Sequence, residues 1–382
     1  MLIGFGLLRL GTYIRFIPYP VTVGFTSGIG IIIFLSQVKD LFGLSLPGGE
    51  PAEVLAKLEA LWAARGSITP AAVAVSLGTV LLIEAIKRLR PHWPSLLLAV
   101  TVAAVAVAAL GLPVETIGTK FGALPRVPPA PALPSLGWDE VQAALPFAIS
   151  FTMLGAIESL LSAVVADGMS GRQHRPNAEL LGQGAANIGA ALFGGFCVTG
   201  TIARTATNVR AGSRGPVSGM LHALFVLTFM LVAAPLASFI PLAALAGVLA
   251  GVAWNMIEKG ELMALIRGSR GDALVVLITL LLVVFRDLTE GIIVGFALGG
   301  LVFIKRMSDA AEARRVTVAP SDDTGVAQDH ELLVYRLSGP FFFGAAAQLG
   351  MVLDRIADKP AAFVVDFSDV PFIDSSGAHA FE

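Results

Sequence analysis

The sequence predicts a polytopic α-helical membrane protein followed by a short soluble α/β segment. Three observations carry this. Apolar residues make up 55% of the 382 residues and charged residues only 14%, against about 25% charged in a soluble domain. Apolar runs on the order of 20 residues, enough to span a bilayer core, recur as far as position 306. Beyond Arg306 the chain turns polar, and from Glu331 it alternates as strands and an amphipathic helix do.

The apolar runs lie at 18–40, 68–88, 94–112, 141–166, 178–195, 216–234, 239–257, 271–286 and 288–306. With alternate loops assigned to opposite sides, one side receives only Lys39, Lys57, Arg65, Lys120, Arg126 and Arg286, while 14 Lys and Arg residues fall on the other. The positive-inside rule makes the richer side cytoplasmic, and the C-terminus lies on it. Residues 1–17 carry Arg9 and Arg15 without a cleavage pattern and belong to the chain. The single Cys197 excludes an internal disulfide, and neither a metal site nor an enzymatic constellation is expected. The net charge of −2 gives no sign of a nucleic-acid partner.

The domain reading is 1–308 membrane, 309–330 linker and 331–382 soluble. In the last part "ELLVYRLSGPFFF" is strand-like, "AAAQLGMVLDRIAD" is an amphipathic helix and "AAFVVDFSDVPFID" is a buried strand entering a turn. So short a segment is thin for an independent α/β domain and is expected to be cut short at Glu382.

Two stretches match each other. "FIPYPVTVGFTSG" at 16–28 and "FIPLAALAGVLAG" at 239–251 share Phe-Ile-Pro and then Gly24 and Gly28 against Gly247 and Gly251. By the charge assignment the first helix runs outward and the second inward. Inverted repeats of this kind mark secondary transporters. The offset from Pro18 to Pro241 puts the repeat partners of the 141–166 helix and of the stretch at 193–212 ahead of Met1, so roughly 80 or more residues of a first repeat are expected to precede this chain.

The stretch "FGGFCVTGTIARTATNVRAG" at 193–212 is too polar and too short to span. Its first part suits extended backbone, and its Thr-Gly start suits the N-terminus of a half-helix near the membrane midplane, where irregular backbone survives only inside protein or beside a cavity. Free N–H groups and the positive dipole end there make an anion site. Thr199 and Thr201 offer hydroxyls and Arg204 a full charge, whose cost in the membrane an anion would offset. The alternative is that Arg204 snorkels to the surface or pairs with Glu158.

Glu158 is the only ionisable group in the middle of the 141–166 run, and an intramembrane carboxylate is a functional candidate by default. Ser162 lies one turn on, on the same face. Gly155, Ala156, Ser159 and Ala163 allow another element to approach closely. Glu158 could take a proton or help hold Na+, coupling cation to anion movement; a structural ion pair is the alternative. Asn177, Gln183 and Asn187 suit interhelical hydrogen bonds.

Three segments, "RFIPYPVTVGFTSGIGIIIFLSQVKDLFG", "AELLGQGAANIGAALFGGFCVTGTIARTATNVRAGSRGPVSG" and "VVDFSDVPFIDSSGAHAFE", together resemble the SulP-type sulfate permease family of anion transporters, whose members join a membrane domain to a cytoplasmic STAS domain. The resemblance implies a partial seven-plus-seven inverted-repeat fold, helices 5–14, with the second repeat starting near 139, followed by a truncated STAS domain. It also implies an anion site between facing half-helices. Thr199, Gly200, Thr201, Ala203 and Arg204 form one side, and Glu158 and Ser162 belong to the neighbouring eighth helix. Some relatives carry a hydroxyl at Ala203, so only the backbone would contribute there. The "DSSG" turn would place Ser375 or Ser376 where related regulators are phosphorylated.

The expected function is therefore secondary active transport of a small inorganic anion, sulfate first, coupled to H+ or Na+ and with no other cofactor. Bicarbonate and dicarboxylates stay open, because a helix N-terminus and an arginine recognise charge better than identity. A membrane-anchored STAS regulator without transport is the alternative from another class. A bacterial inner membrane and a homodimer are expected from the resemblance.

Overall fold

A computed structural model describes residues 1–14, 18–134, 137–309, 312–316, 332–340, 362–375 and 378. Each of the nine apolar runs forms a helix. They are α3 (Tyr19–Phe42), α5 (Pro70–Leu89), α6 (Ser95–Leu110), α8 (Trp138–Ser170), α9 (Pro176–Leu192), α11 (Val217–Ala237), α12 (Leu242–Met256), α14 (Arg270–Phe285) and α15 (Leu288–Asp309). Between and before them lie the shorter α1 (Leu2–Leu7), α2 (Gly11–Ile14), α4 (Val54–Ala63), α7 (Ile117–Phe121), α10 (Ile202–Arg210) and α13 (Lys259–Gly268). Among the described residues six helices are long and apolar enough to cross a membrane, counting Leu242–Gly268 as one. The remaining apolar helices, α6, α9 and α14, have 16 or 17 residues. At 1.5 Å per residue they measure about 25 Å, slightly less than a bilayer core.

The matched stretches occupy matching places. Pro18 and Pro241 are the N-caps of α3 and α12, with φ/ψ of −61/136° and −71/136°. Proline suits that position, where no intrahelical N–H is needed. α3 and α12 pack together; α3 also packs on α14, and α12 on α5. Each triplet thus lays its first helix on the second helix of the other. Glycines make the approach possible. A Cβ on Gly24 would stand 2.7 Å from the Val276 carbonyl oxygen, and one on Gly247 would stand 2.9 Å from that of Ser76. Gly251 has open space around it, so that matched glycine is not a packing glycine.

A second group gathers α1, α2, α8, α9 and α10. Leu2, Ala156, Leu160 and Leu180 form its core. The Gly11 N–H donates to Asn177 Oδ1 at 3.1 Å, one of the predicted amide contacts. The 33-residue α8 joins the two groups. Ala156 and Leu160 face α1 and α9, while Ile157 packs with Phe25, Val283 and Ile292 of α3, α14 and α15.

The soluble segment contributes β1 (Glu312–Val316), β2 (Leu332–Ser338) and β3 (Ala362–Asp369) in the order β1-β2-β3. β1 runs antiparallel to β2, and β3 parallel to it. β2 and β3 fall on the two stretches predicted as strands. β1 falls inside the stretch expected to be linker, where "EARRV" offers no apolar signal. Among the described residues it pairs on one side, with β2, and an edge strand needs no continuous apolar face. The helix expected at 345–358 lies outside the described residues.

Candidate functional site

The site is built on the middle of α8, whose small residues form a trough. Gly155, Ala156, Ser159 and Ser162 are buried there, and α10 packs along it. The chain reaches the trough by leaving α9 through Gly194, at φ +68°, a conformation that glycine adopts without steric cost. Residues 195–201 then run without regular secondary structure, as the glycine-rich composition predicts.

Side chains do the work of strand neighbours along this run. Asn187 Oδ1 accepts the Val198 N–H at 3.0 Å, and Asn187 Nδ2 donates to the Val198 carbonyl at 2.9 Å. Gln183 Nε2 donates to the same carbonyl. One residue further a chain of hydrogen bonds crosses to α8. The Gly200 N–H donates to Ser159 Oγ at 3.2 Å, and Ser159 and Thr199 hydroxyls meet at 3.1 Å. Thr199 Oγ1 donates to the Gly155 carbonyl at 3.2 Å. A hydroxyl has one proton to give. Thr199 gives its proton to Gly155, so Ser159 must give its own to Thr199, and all members point one way. Such aligned bonds polarise one another and lock the backbone.

α10 begins at the end of this clamp. Thr201 is its N-cap, at φ −124° and ψ 126°, and its side chain makes no capping bond. The first intrahelical bond runs from the Thr205 N–H to the Thr201 carbonyl at 3.0 Å. The amides of Ile202, Ala203 and Arg204 belong to the first turn, which has no intrahelical acceptors. Thr201 and Arg204 are exposed. Ser162 Oγ donates to Thr205 Oγ1 at 2.7 Å and ties the first turn to α8. Nine residues give α10 a length of about 14 Å, too short to span.

The predicted residues therefore divide by what they touch. Thr199, Gly200 and Ser162 spend their hydrogen-bonding groups on the α8–α10 seam. Thr201 and Arg204 are exposed at the start of α10, and the backbone of Ala203 lies between them in sequence. Glu158 is partly buried on α8. Among the described residues neither Glu158 nor Arg204 has an ion-pair partner, so the pair weighed as an alternative is not formed. Ser375 is exposed, and Ser376 lies outside the described residues. Sequence reasoning noted Ser159 only for its size and did not single out Thr205. The signal was present in the Ser-x-x-Ser spacing of 159 and 162, two hydroxyls on one face of an otherwise apolar helix.

The family profile described as "Sulfate permease family" matches residues 1–279, and that of the STAS domain matches residues 324–382. The chain belongs to the sulfate permease family. Among its curated members, the Bacillus subtilis protein named "Putative sulfate transporter YvdB" is 37% identical over 98% of this chain and 71% of its own length. "Bicarbonate transporter BicA" of Synechocystis sp. is 33% identical over 100% of this chain and 68% of its own. The solved transmembrane domain of a cyanobacterial BicA is similar at a TM-score of 0.64 and 32% identity, covering 78% of this chain and 72% of that one. The murine Slc26a9 anion transporter, in an inward-facing state, shares the fold at a TM-score of 0.82 and 19% identity, over 100% of this chain and 64% of that one. The sulfate permease fold and the STAS segment expected from the sequence are thus both found.

Proposed function

We propose that this sulfate permease family chain carries out secondary active transport of a small inorganic anion, sulfate first, coupled to H+ or Na+. One observation carries the reading: the N-terminus of α10 presents first-turn amides, Thr201 and an Arg204 that has no ion pair among the described residues, at the end of a run clamped between α8 and α9. The helix dipole adds a positive potential there. Thr201, the Ala203 backbone and Arg204 contact the anion. Thr199 and Gly200 hold those contacts in place through Ser159 instead of touching the anion themselves.

Sulfate is a dianion, and moving two charges against an inside-negative potential costs about 4.6 kcal/mol per 100 mV. Co-transported cations offset that cost. Glu158 shares α8 with the seam and has no cation partner among the described residues, which suits it to take up a proton or help hold Na+. The apolar seam of Ile157 against Phe25, Val283 and Ile292 offers no directional bonds to break when the α8–α10 group moves past α3 and α14. The STAS side faces the cytoplasm of a bacterial inner membrane, on the charge asymmetry of the loops, and the family resemblance supports a homodimer.

Bicarbonate is the second reading, favoured by the 33% identity to BicA. Uptake of labelled sulfate by the reconstituted complete protein, with proton and sodium gradients imposed separately, tests the proposal. Saturable sulfate uptake that follows one gradient and resists excess bicarbonate supports it. Saturable bicarbonate uptake without sulfate uptake selects the second reading, and no saturable uptake of either anion overturns both.

A further inference from the structure

Between α3 and α5 the chain leaves the membrane, and the segment 43–69 must lie at one membrane face. Its helix, α4, has two apolar stripes where a simple connection would need one. Val54, Lys57 and Leu61, spaced i, i+3, i+7, are buried against the protein. Leu55, Leu58 and Trp62 repeat the same spacing one position on, and they are 62%, 43% and 70% exposed. At 100° per residue the second stripe points about 100° away from the first, and Glu59 lies beyond it. α4 thus has a protein side, an apolar outer side and a polar edge. The apolar side chains on the spanning helices are explained by the crossing itself, but this stripe is not.

The depth of α4 is fixed by Lys57. Its ammonium donates to Ser36 Oγ at 3.0 Å and pairs with Glu50 at 2.7 Å. Ser36 lies six residues before the end of α3 at Phe42, which is about 9 Å down the helix axis. The lysine stem therefore holds α4 within a side chain's length of that level of α3. Just after α4, the Arg65 guanidinium sits 4.9 Å over the Trp62 ring and donates to the Trp62 carbonyl at 2.9 Å. Tryptophan with arginine at its rim suits the membrane interface, where the ring is immersed and the cation meets headgroups.

We propose that α4 is an in-plane interfacial helix whose Leu55–Leu58–Trp62 stripe docks on phospholipid at the headgroup–acyl boundary, anchoring the α3–α5 connection at a fixed depth. The polar edge with Glu59 faces water, and Lys57 secures the opposite side to α3. An amphipathic helix of this kind immerses its apolar face about 5–10 Å into the boundary.

The test uses the full chain in phosphatidylcholine vesicles, with Trp93→Phe, Trp138→Phe and Trp254→Phe leaving Trp62 as the only tryptophan. Lipids brominated high on the acyl chain should remove most of the Trp62 emission, those brominated near the chain end much less, and aqueous iodide little. Strong iodide quenching with none by brominated lipid would overturn the proposal and place the stripe in water. Protection from both quenchers would also overturn it and show that a protein surface covers the stripe. If the triple variant fails to fold, the difference in quenching between the unaltered chain and Trp62→Phe gives the same reading.

Discussion

Replacing Ser159 by alanine removes one oxygen and breaks the clamp at its centre. The side chain is 1% exposed, so water has no ready route to replace it. Two bonds go: the acceptance of the Gly200 N–H and the donation to Thr199 Oγ1. The Gly200 amide is left without its acceptor, and because Gly200 is only half-buried the loss is that of an ordinary hydrogen bond, about 0.5–1.5 kcal/mol. The vacated space is smaller than a methyl group, so a cavity contributes little beside it. By the rule of 1.4 kcal/mol per tenfold, local opening of residues 198–201 should become about 2 to 12 times more frequent. Native-state hydrogen exchange of the Gly200 amide reads this directly. Ser162→Ala serves as the control, since it breaks the bond to Thr205 and leaves Gly200 paired. Ser159→Ala should therefore speed exchange at Gly200 far more than Ser162→Ala does. Equal exchange in the two variants, or no change in either, would refute the hydrogen-bonded clamp.

Three further expectations follow from other parts of the molecule. Glu158→Gln should change the pH or Na+ dependence of uptake by the complete protein; an unaltered profile in both would remove Glu158 from coupling. Gly24→Ala should lower thermal stability by about 1–3 kcal/mol, because its Cβ would stand 2.7 Å from the Val276 carbonyl oxygen, whereas Gly251→Ala in open space should cost nothing; calorimetry or denaturant titration in detergent distinguishes them. In the soluble segment, Asp366 is held down to about 2 by the Ser368 hydroxyl and N–H and by the Arg336 guanidinium at 2.7 Å. A depressed carboxylate contributes stability above its ordinary range and loses it as pH falls through the folded value. Carboxyl-carbon NMR should thus find Asp366 ionised until about pH 2, and titration near 4 would contradict the bonding described.

What could be foreseen from the residues depended on range. Pro18 and Pro241 mark helix starts whatever surrounds them, because a missing N–H and a fixed φ are local properties. The half-helix after Thr201 was legible for a similar reason: its length and polarity rule out a span without any knowledge of neighbours. The partners of its hydroxyls were not legible. Ser159 and Thr199 stand 40 positions apart, and which hydroxyls meet depends on how the 195–201 run and α10 lie against α8, which no periodicity records. The same packing decided that Arg204 and Glu158 do not pair. β1 escaped notice because its sequence, "EARRV", has no apolar alternation to read.

The central claim is that an anion binds at the N-terminus of α10 through Arg204. Arg204→Ala in the complete, reconstituted protein tests it most directly, read as saturable uptake of labelled sulfate beside a circular-dichroism check of helical content. Arg204 is exposed and makes no ion pair within the described residues, so its removal should leave the fold unchanged. Saturable uptake should be lost with helicity intact. Uptake that saturates at the same sulfate concentration and rate as the unaltered protein would contradict it.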